Sequence, residues 1–196
     1  MFKRPALVIS AILVTALAAH GETFKIDPKH SHVDFTVRHL MISRVPGNFT
    51  GFSGTIEYDP QDTSKWAVDV QITTASINTG DSTRDKHLRS GDFLAVDSFP
   101  LITFKSTKVT PKGNGKFDVL GNLTMRGVTK PVTLNAEILG TMEDPRMGKR
   151  LGFAATTTID RMDYGVSWNR TVEAGGLVVG HEVTIDLGVE AFIPKQ

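Results

Sequence analysis

The residues that could do chemistry fall into three groups. His30 and His32 stand two apart, a spacing that puts both side chains on one face of a strand, where they could share a metal ion. His39 has the opposite parity and no third ligand is evident, so no metal site is expected. His30 and Ser31 read instead as caps of a turn after Pro28, and His39 as the end of an inward row begun by Val33. Gly51-Phe52-Ser53-Gly54-Thr55 approaches the nucleophile elbow of hydrolases, but Thr55 stands where the last glycine belongs. The elbow also needs a strand-to-helix turn, and here strand alternation continues on both sides. The third group is Arg84, Asp85, His87 and Arg89. With Asp81, Lys86 and Asp92 it reads as a self-neutralising solvated helix, Arg84 and His87 being its members best placed to meet a ligand head group. No residue is placed to complete a catalytic triad. Neither a catalytic constellation nor a cofactor is expected.

The elements that position these residues are strands. Apolar residues recur at period two in segment after segment. Val33, Phe35 and Val37 form one row; Phe52, Gly54, Ile56 and Tyr58 a second; Trp66, Val68, Val70 and Ile72 a third. Ile102 and Phe104 follow, then Phe117 to Met125 through Leu123, Val132 to Ile138, Leu151 to Ile159 through Phe153, and Val183 to Val189 through Ile185. Asp59-Pro60, Lys112-Gly113-Asn114-Gly115, Arg126-Gly127 and Glu143-Asp144-Pro145 mark turns between them. Eight or nine strands with one apolar face each imply an antiparallel sheet that must bury that face, as a sandwich or a closed barrel. Strand length, glycines inside strand patterns at Gly51, Gly54, Gly121 and Gly152, and an end that needs a cover favour the barrel. Gly54, Gly121, Ala136 and Ala155 on the inward face are expected to leave space in a lumen.

One connection, Ser76 to Ser106, is far longer than a hairpin loop. Ser82 and Asp85 have capping-box spacing, Asp85 and Arg89 an i,i+4 pairing, and Gly91 stands where a glycine ends a helix. A helix from about Thr83 to Ser90 is expected, with Leu88 its one large apolar residue and Phe93, Leu94 and Phe99 tucking down beyond it. Such an element is a polar plug over one end of the barrel and the gate for exchange, not a core helix. A second long connection, Gly165 to Gly180, holds Trp168 and Leu177-Val178-Val179. It reads either as a hairpin on the outer wall or as a second flap at the same opening.

The same stretch carries a resemblance. Ser76-Ile77-Asn78-Thr79, Arg84 to Ser90, Asp92-Phe93, Pro100 and Ile102-Thr103-Phe104 resemble the central signature of the YceI-like polyisoprenoid-binding family. Ile26-Asp27-Pro28, His30-Ser31, Phe35 and His39-Leu40 extend the likeness upstream. Gly121 to Thr124, Arg126 to Val132, Arg161, Asp163 and Gly165 extend it downstream, so that it covers nearly all the chain after the leader. The resemblance implies an all-β, lipocalin-like, antiparallel eight-stranded barrel with a short helical plug. It implies a polyisoprenoid ligand, such as an isoprenoid quinone or its precursor, held tail-first in the lumen of a binding protein that is not an enzyme. An enzyme or accessory protein acting on lipid or quinone head groups is the alternative. The expected ligand-facing residues are Val33, Phe35, Val37 and His39; Phe52 and Ile56; Trp66, Val68 and Val70; Leu88 and Phe93; and Phe104, Leu123, Phe153 and Ile185.

Bulk properties set the frame. A chain of 196 residues with 40% hydrophobic and 22% charged residues suits one soluble domain. The formal net charge of +1 offers no basic face for nucleic acid. Lys3 and Arg4 precede an apolar run, Ala6 to Ala19, that is too short to span a bilayer. Residues 1–21 are therefore expected to be a cleaved leader, with cleavage between Ala18 and Glu22, and residues 22–196 the domain. Export to the periplasm follows, and with no cysteine the fold must be held by packing alone. A homodimer and a transient contact with a membrane or a lipid donor protein stay open.

Overall fold

The computed structural model describes residues 21–171 and 176–194, so the expected leader lies almost wholly outside the described residues. Six short strands come first: β1 (Glu22–Ile26), β2 (His32–His39), β3 (Ser43–Phe49), β4 (Phe52–Tyr58), β5 (Ala67–Thr73) and β6 (Ile77–Asn78). They act as three long strands, each broken in the middle, because neighbouring pairings continue on both sides of the break. Phe24 of β1 faces Ile56 of β4, and Phe35 of β2 faces Gly47 of β3. Phe52 of β4 likewise faces Ile72 of β5, and Phe49 of β3 faces Ile77 of β6. Five unbroken strands follow: β7 (Leu101–Gly113), β8 (Lys116–Met125), β9 (Val128–Asp144), β10 (Gly148–Asp160) and β11 (Val179–Phe192).

Each wall strand pairs antiparallel with its neighbours in sequence. β11 then closes the ring, pairing with β2 between Val179 and Gly188 and with β1 at Ala191 and Phe192. The product is a closed eight-stranded antiparallel barrel of the lipocalin-like, up-and-down kind, with one short α-helix, α1 (Ser82–Arg89). Three strands have no counterpart in the sequence rows above, β6 being only two residues long. β1 is only five residues long, and β3 contains Pro46 and Gly47, which interrupt its alternation. Proline is tolerated there because the second flank of β3 is paired only at Asn48 and Phe49.

The three breaks lie side by side and form a crease across half of the barrel. In the first, between β1 and β2, the hydroxyl of Ser31 takes over from the backbone: it accepts from the Glu190 N–H at 2.9 Å and donates to the Glu190 carbonyl. Asp27 organises this turn. Its carboxylate accepts from the Lys29 N–H at 3.0 Å, meets His30 Nδ1 at 2.9 Å, and lies 3.3 Å from the Arg150 guanidinium, which also reaches Glu190. These partners, His30 first, hold the Asp27 carboxyl below the usual aspartate range. A depressed carboxyl contributes stability that is fully present above its unfolded pKa of about 3.9 and is lost as pH falls through the lower folded value. Asp27→Asn is thus expected to lower the melting temperature at neutral pH and to flatten its fall below about pH 4. Thermal melts from pH 2 to 7 check this; parallel curves for the two proteins would refute it.

Candidate functional site

Alternation turns one face of each wall strand inward, and the inward faces enclose a cavity of about 270 Å³. Val33, Phe35 and Val37 of β2, Phe52 and Ile56 of β4, and Val68 and Val70 of β5 line it. Phe104, Leu123, Phe153 and Ile185 do so from the unbroken strands, and Trp66, Leu88 and Phe93 from connections. The exception among the expected lumen residues is His39. It has the inward parity but is the last residue of β2, past Val37, and its carbonyl accepts from the Ser43 hydroxyl in the turn. Phe49 and Val166 also line the cavity and were not foreseen. Pro46 and Gly47 disguise the strand of the first, and the second sits in an irregular loop. The polar members of the wall are few. Asp34 and Glu57 belong to the outward sets of β2 and β4, Thr157 contributes a small hydroxyl side chain, and Arg161 is occupied by carbonyls.

The glycines do something other than leave space. The ring of Phe104 lies on Gly121, where an added Cβ would stand 2.3 Å from Cζ, and the ring of Phe35 lies on Gly47 in the same way. An added Cβ at Gly54 would fall 2.5 Å from the Asp69 carbonyl, so this glycine allows two strands to approach. Gly54 and Gly121 are therefore seats for rings and backbone, whereas Ala136 and Ala155 do line the cavity.

The two ends of the barrel are closed by different means. Below the crease the closure is aromatic. Trp66, in the connection before β5, lies 4.7 Å from Tyr58 and 4.6 Å from Phe117 between ring centroids, with Phe153 at 6.4 Å. Its indole N–H donates to the Asp59 carbonyl at 2.6 Å, which satisfies the ring's one donor.

At the opposite end stand both long connections. Leu88, Phe93 and Leu94 descend from the first to the cavity, and Trp168 of the second lies 4.9 Å from the His87 ring and 5.2 Å from that of Phe93. Of the two alternatives for the second connection, the flap therefore holds; its residues 172–175 lie outside the described ones.

Local chemistry in the first connection differs from the expected capping box. The N-cap is Asp81, not Ser82: its carboxylate accepts from the N–H groups of Arg84 and Thr83, which hold it below the usual range. Asp85 is buried and turns back to the Thr79 N–H (2.9 Å) and hydroxyl (2.6 Å). Arg89 is thus free of Asp85 and donates to the carbonyls of Ala75 and Ile77. Ser90 ends the helix by bonding back to His87, with ordinary extended dihedrals, so Gly91 has no left-handed role. Arg84 is exposed and bonded to Thr79, and His87 pairs with Asp92 at 2.9 Å. Neither lines the cavity.

Two further arginines complete this end. Arg126, in the β8–β9 turn, donates to the carbonyls of Gly91 and Phe93. Arg161, almost fully buried, donates to the carbonyls of Val166, Val179 and Gly180. Burial lowers its pKa from the usual guanidinium value. The histidines near the crease do not converge: His32 lies on Gly188, 3.5 Å from Asp186, while His30 belongs to the Asp27 turn. Asp27, His30 and Glu190 do meet within 4.8 Å, but Arg150 supplies the cation between the two carboxylates.

A closed barrel with an apolar lumen, one aromatic end and one capped end is the architecture of ligand-enclosing β-barrels. The sequence profile of the YceI-like domain matches residues 24–191, and the chain belongs to that family. A UPF0312 protein of Vibrio cholerae is 40% identical over 163 residues, covering 82% of this chain and 86% of its own. The crystal structure of a YCEI protein from Campylobacter jejuni, 32% identical, matches with a TM-score of 0.70 over 81% of this chain and 90% of its own. A polyisoprenoid binding domain from Saccharophagus degradans matches with a TM-score of 0.64 over 87% and 98%, at 18% identity, a likeness of fold.

Charged donors to carbonyls contribute about 1.5–3 kcal/mol each. Arg89→Ala or Arg126→Ala is expected to speed hydrogen exchange across residues 79–100 at least tenfold, while amides of β8 to β10 keep most of their protection. Uniform loss of protection over the whole barrel would contradict this division.

Proposed function

We propose that the protein is a carrier that holds one polyisoprenoid lipid, an isoprenoid quinone or its precursor, with the tail in the barrel lumen. The observation that carries this reading is the enclosed cavity, about 270 Å³ with almost wholly apolar walls. Such a space cannot solvate a charge, but it rewards a branched hydrocarbon by about 0.8 kcal/mol for each CH2 group taken from water. Family membership and the polyisoprenoid-binding fold neighbour support the ligand class. In this reading the mechanism is sequestration, and the capping connection with Asp81 and Leu88 gates exchange. The charged start, short apolar run and small residues of positions 1–21 support export to the periplasm.

Native mass spectrometry of the protein taken from its own compartment, followed by lipid extraction, is expected to show one isoprenoid-containing lipid per chain. Consistently empty protein, or turnover of the bound lipid, would overturn the carrier. Val68→Asp and Phe104→Asp should lower lipid occupancy at least tenfold in protein that still melts cooperatively. The outward substitutions Gln71→Asp and Lys105→Asp should leave it unchanged, and equal losses on both faces would refute the lumen as the site. Asp81→Ala with Leu88→Ala should speed lipid release more than it lowers the melting temperature. N-terminal sequencing of periplasmic material should begin between Ala19 and Glu22, and an intact Met1 would refute export by cleavage.

A further inference from the structure

The turn between β2 and β3 defies three local preferences at once. Leu40 and Met41 both have positive φ, 51° and 62°, in the left-handed region that favours glycine and asparagine. The β7–β8 turn follows the rule, with Asn114 and Gly115 at such angles, and the β8–β9 turn sets one such residue, Arg126, beside Gly127, whereas here two bulky apolar residues adopt them in succession. Leu40 and Met41 are also exposed, and Ile42 beside them is 85% exposed, the most of any large hydrophobic residue described. Finally, Arg38 and Arg44 face each other directly across the two strands, both exposed. Like charges in that position repel, and among the described residues neither has a carboxylate within 4.0 Å. Strain, apolar exposure and charge repulsion each cost the folded state, and backbone strain of this kind persists chiefly where a site uses it.

The location is equally specific. The Leu40 N–H donates to the Val178 carbonyl at 2.9 Å, which ties the tip to the second long connection at the capped end of the barrel. We propose that this tip is a membrane-docking element. Leu40, Met41 and Ile42 enter the boundary between head groups and acyl chains of an anionic bilayer, and Arg38 and Arg44 bind its phosphates. The inference rests on the carrier reading and names where the cargo is exchanged: the capped end is set against the lipid surface.

A convex tip of three side chains suits a fluid surface that closes around it, and unneutralised arginines at its base complement anionic head groups. The rival exposed patch, Leu139, Met142 and Met147 at the far end, carries both signs of charge, with Glu137, Glu143 and Asp144 against Arg146 and Lys149, and so has no excess of cations to offer such a surface. Binding through so small an element is weak, reversible and sensitive to salt.

The test is flotation of the mature protein with vesicles of phosphatidylcholine, alone or mixed with phosphatidylglycerol. The protein should float with the mixed vesicles at least tenfold better than with the neutral ones, and high salt should abolish the difference. The triple variant Leu40→Asn, Met41→Gly, Ile42→Thr relieves the strain. Its melting temperature should be unchanged or higher while both flotation and the rate of prenol uptake from mixed vesicles fall at least tenfold. Arg38→Gln with Arg44→Gln should erase the preference for anionic vesicles. Failure of the wild type to float, equal flotation with both vesicles, or wild-type uptake by the triple variant overturns the proposal. Loss of binding to a soluble protein without any change in vesicle behaviour also overturns it, in favour of a protein partner. Prenol offered from detergent micelles should bind wild type and variant alike. If it binds neither, the carrier reading fails, while flotation still decides the docking site.

Discussion

Backbone carbonyls stranded at the irregular end of the barrel must find donors, and guanidinium groups supply them. Where strands pair, the ladder satisfies the main chain; where the chain leaves the sheet, it does not. Arg89 serves the carbonyls of Ala75 and Ile77, Arg126 those of Gly91 and Phe93, and Arg161 those of Val166, Val179 and Gly180. Each spans two connections or a connection and a strand, so together they tie the crease, the helical segment, the β8–β9 turn and the start of β11 into one cap. Their planar forks reach several acceptors from one stem, which a lysine could not do. Thr74, almost fully buried, adds a neutral bond of the same kind to the Phe99 carbonyl. Leu88, Phe93 and Leu94 are held over the lumen because these donors fix the backbone that carries them.

The fold was largely legible in the sequence, because period-two alternation is a direct consequence of the pleat. Val33, Phe35 and Val37, or Val68, Val70 and Ile72, could point nowhere but to a common face. The cap was legible as an element but not in its chemistry. Ser82 and Asp81 both suit an N-cap, and one-residue differences in helix ends lie below what propensity resolves. Asp85 and Arg89 have the spacing of a helical pair, yet each found stronger partners in Thr79 and in the carbonyls of the crease, contacts formed only in the folded chain. β3 was illegible for a different reason: Pro46 and Gly47 break the pattern that a solvent-facing flank allows.

The lumen shows why composition is a poor guide to empty space. An eight-stranded barrel has room for a filled core or for one small ligand, and the balance rests on where its rings lie. Phe104 and Phe35 fold onto glycines of the adjacent strand, flat against the wall, so the bulk of each ring is taken out of the centre. Trp66, Tyr58, Phe117 and Phe153 concentrate the remaining aromatic volume at one end. The same residue types, otherwise distributed, would have filled the barrel.

The closure of the ring by β11 bears on how the chain reaches its native state. All other pairings join wall strands that are neighbours in sequence, the longest connection among them being the one that carries α1, but β11 must meet β1 and β2 across nearly the whole chain. Until it does, the molecule is an open meander with two free edges and its apolar face turned to solvent, the condition in which sheets join other chains. Long-range pairing of this sort is the slow step in β topologies. The vulnerable interval therefore spans synthesis of all the earlier strands and ends only when the last fourteen-residue strand arrives. A chain truncated before that strand keeps two unpaired edges, and the C-terminal strand is what removes them.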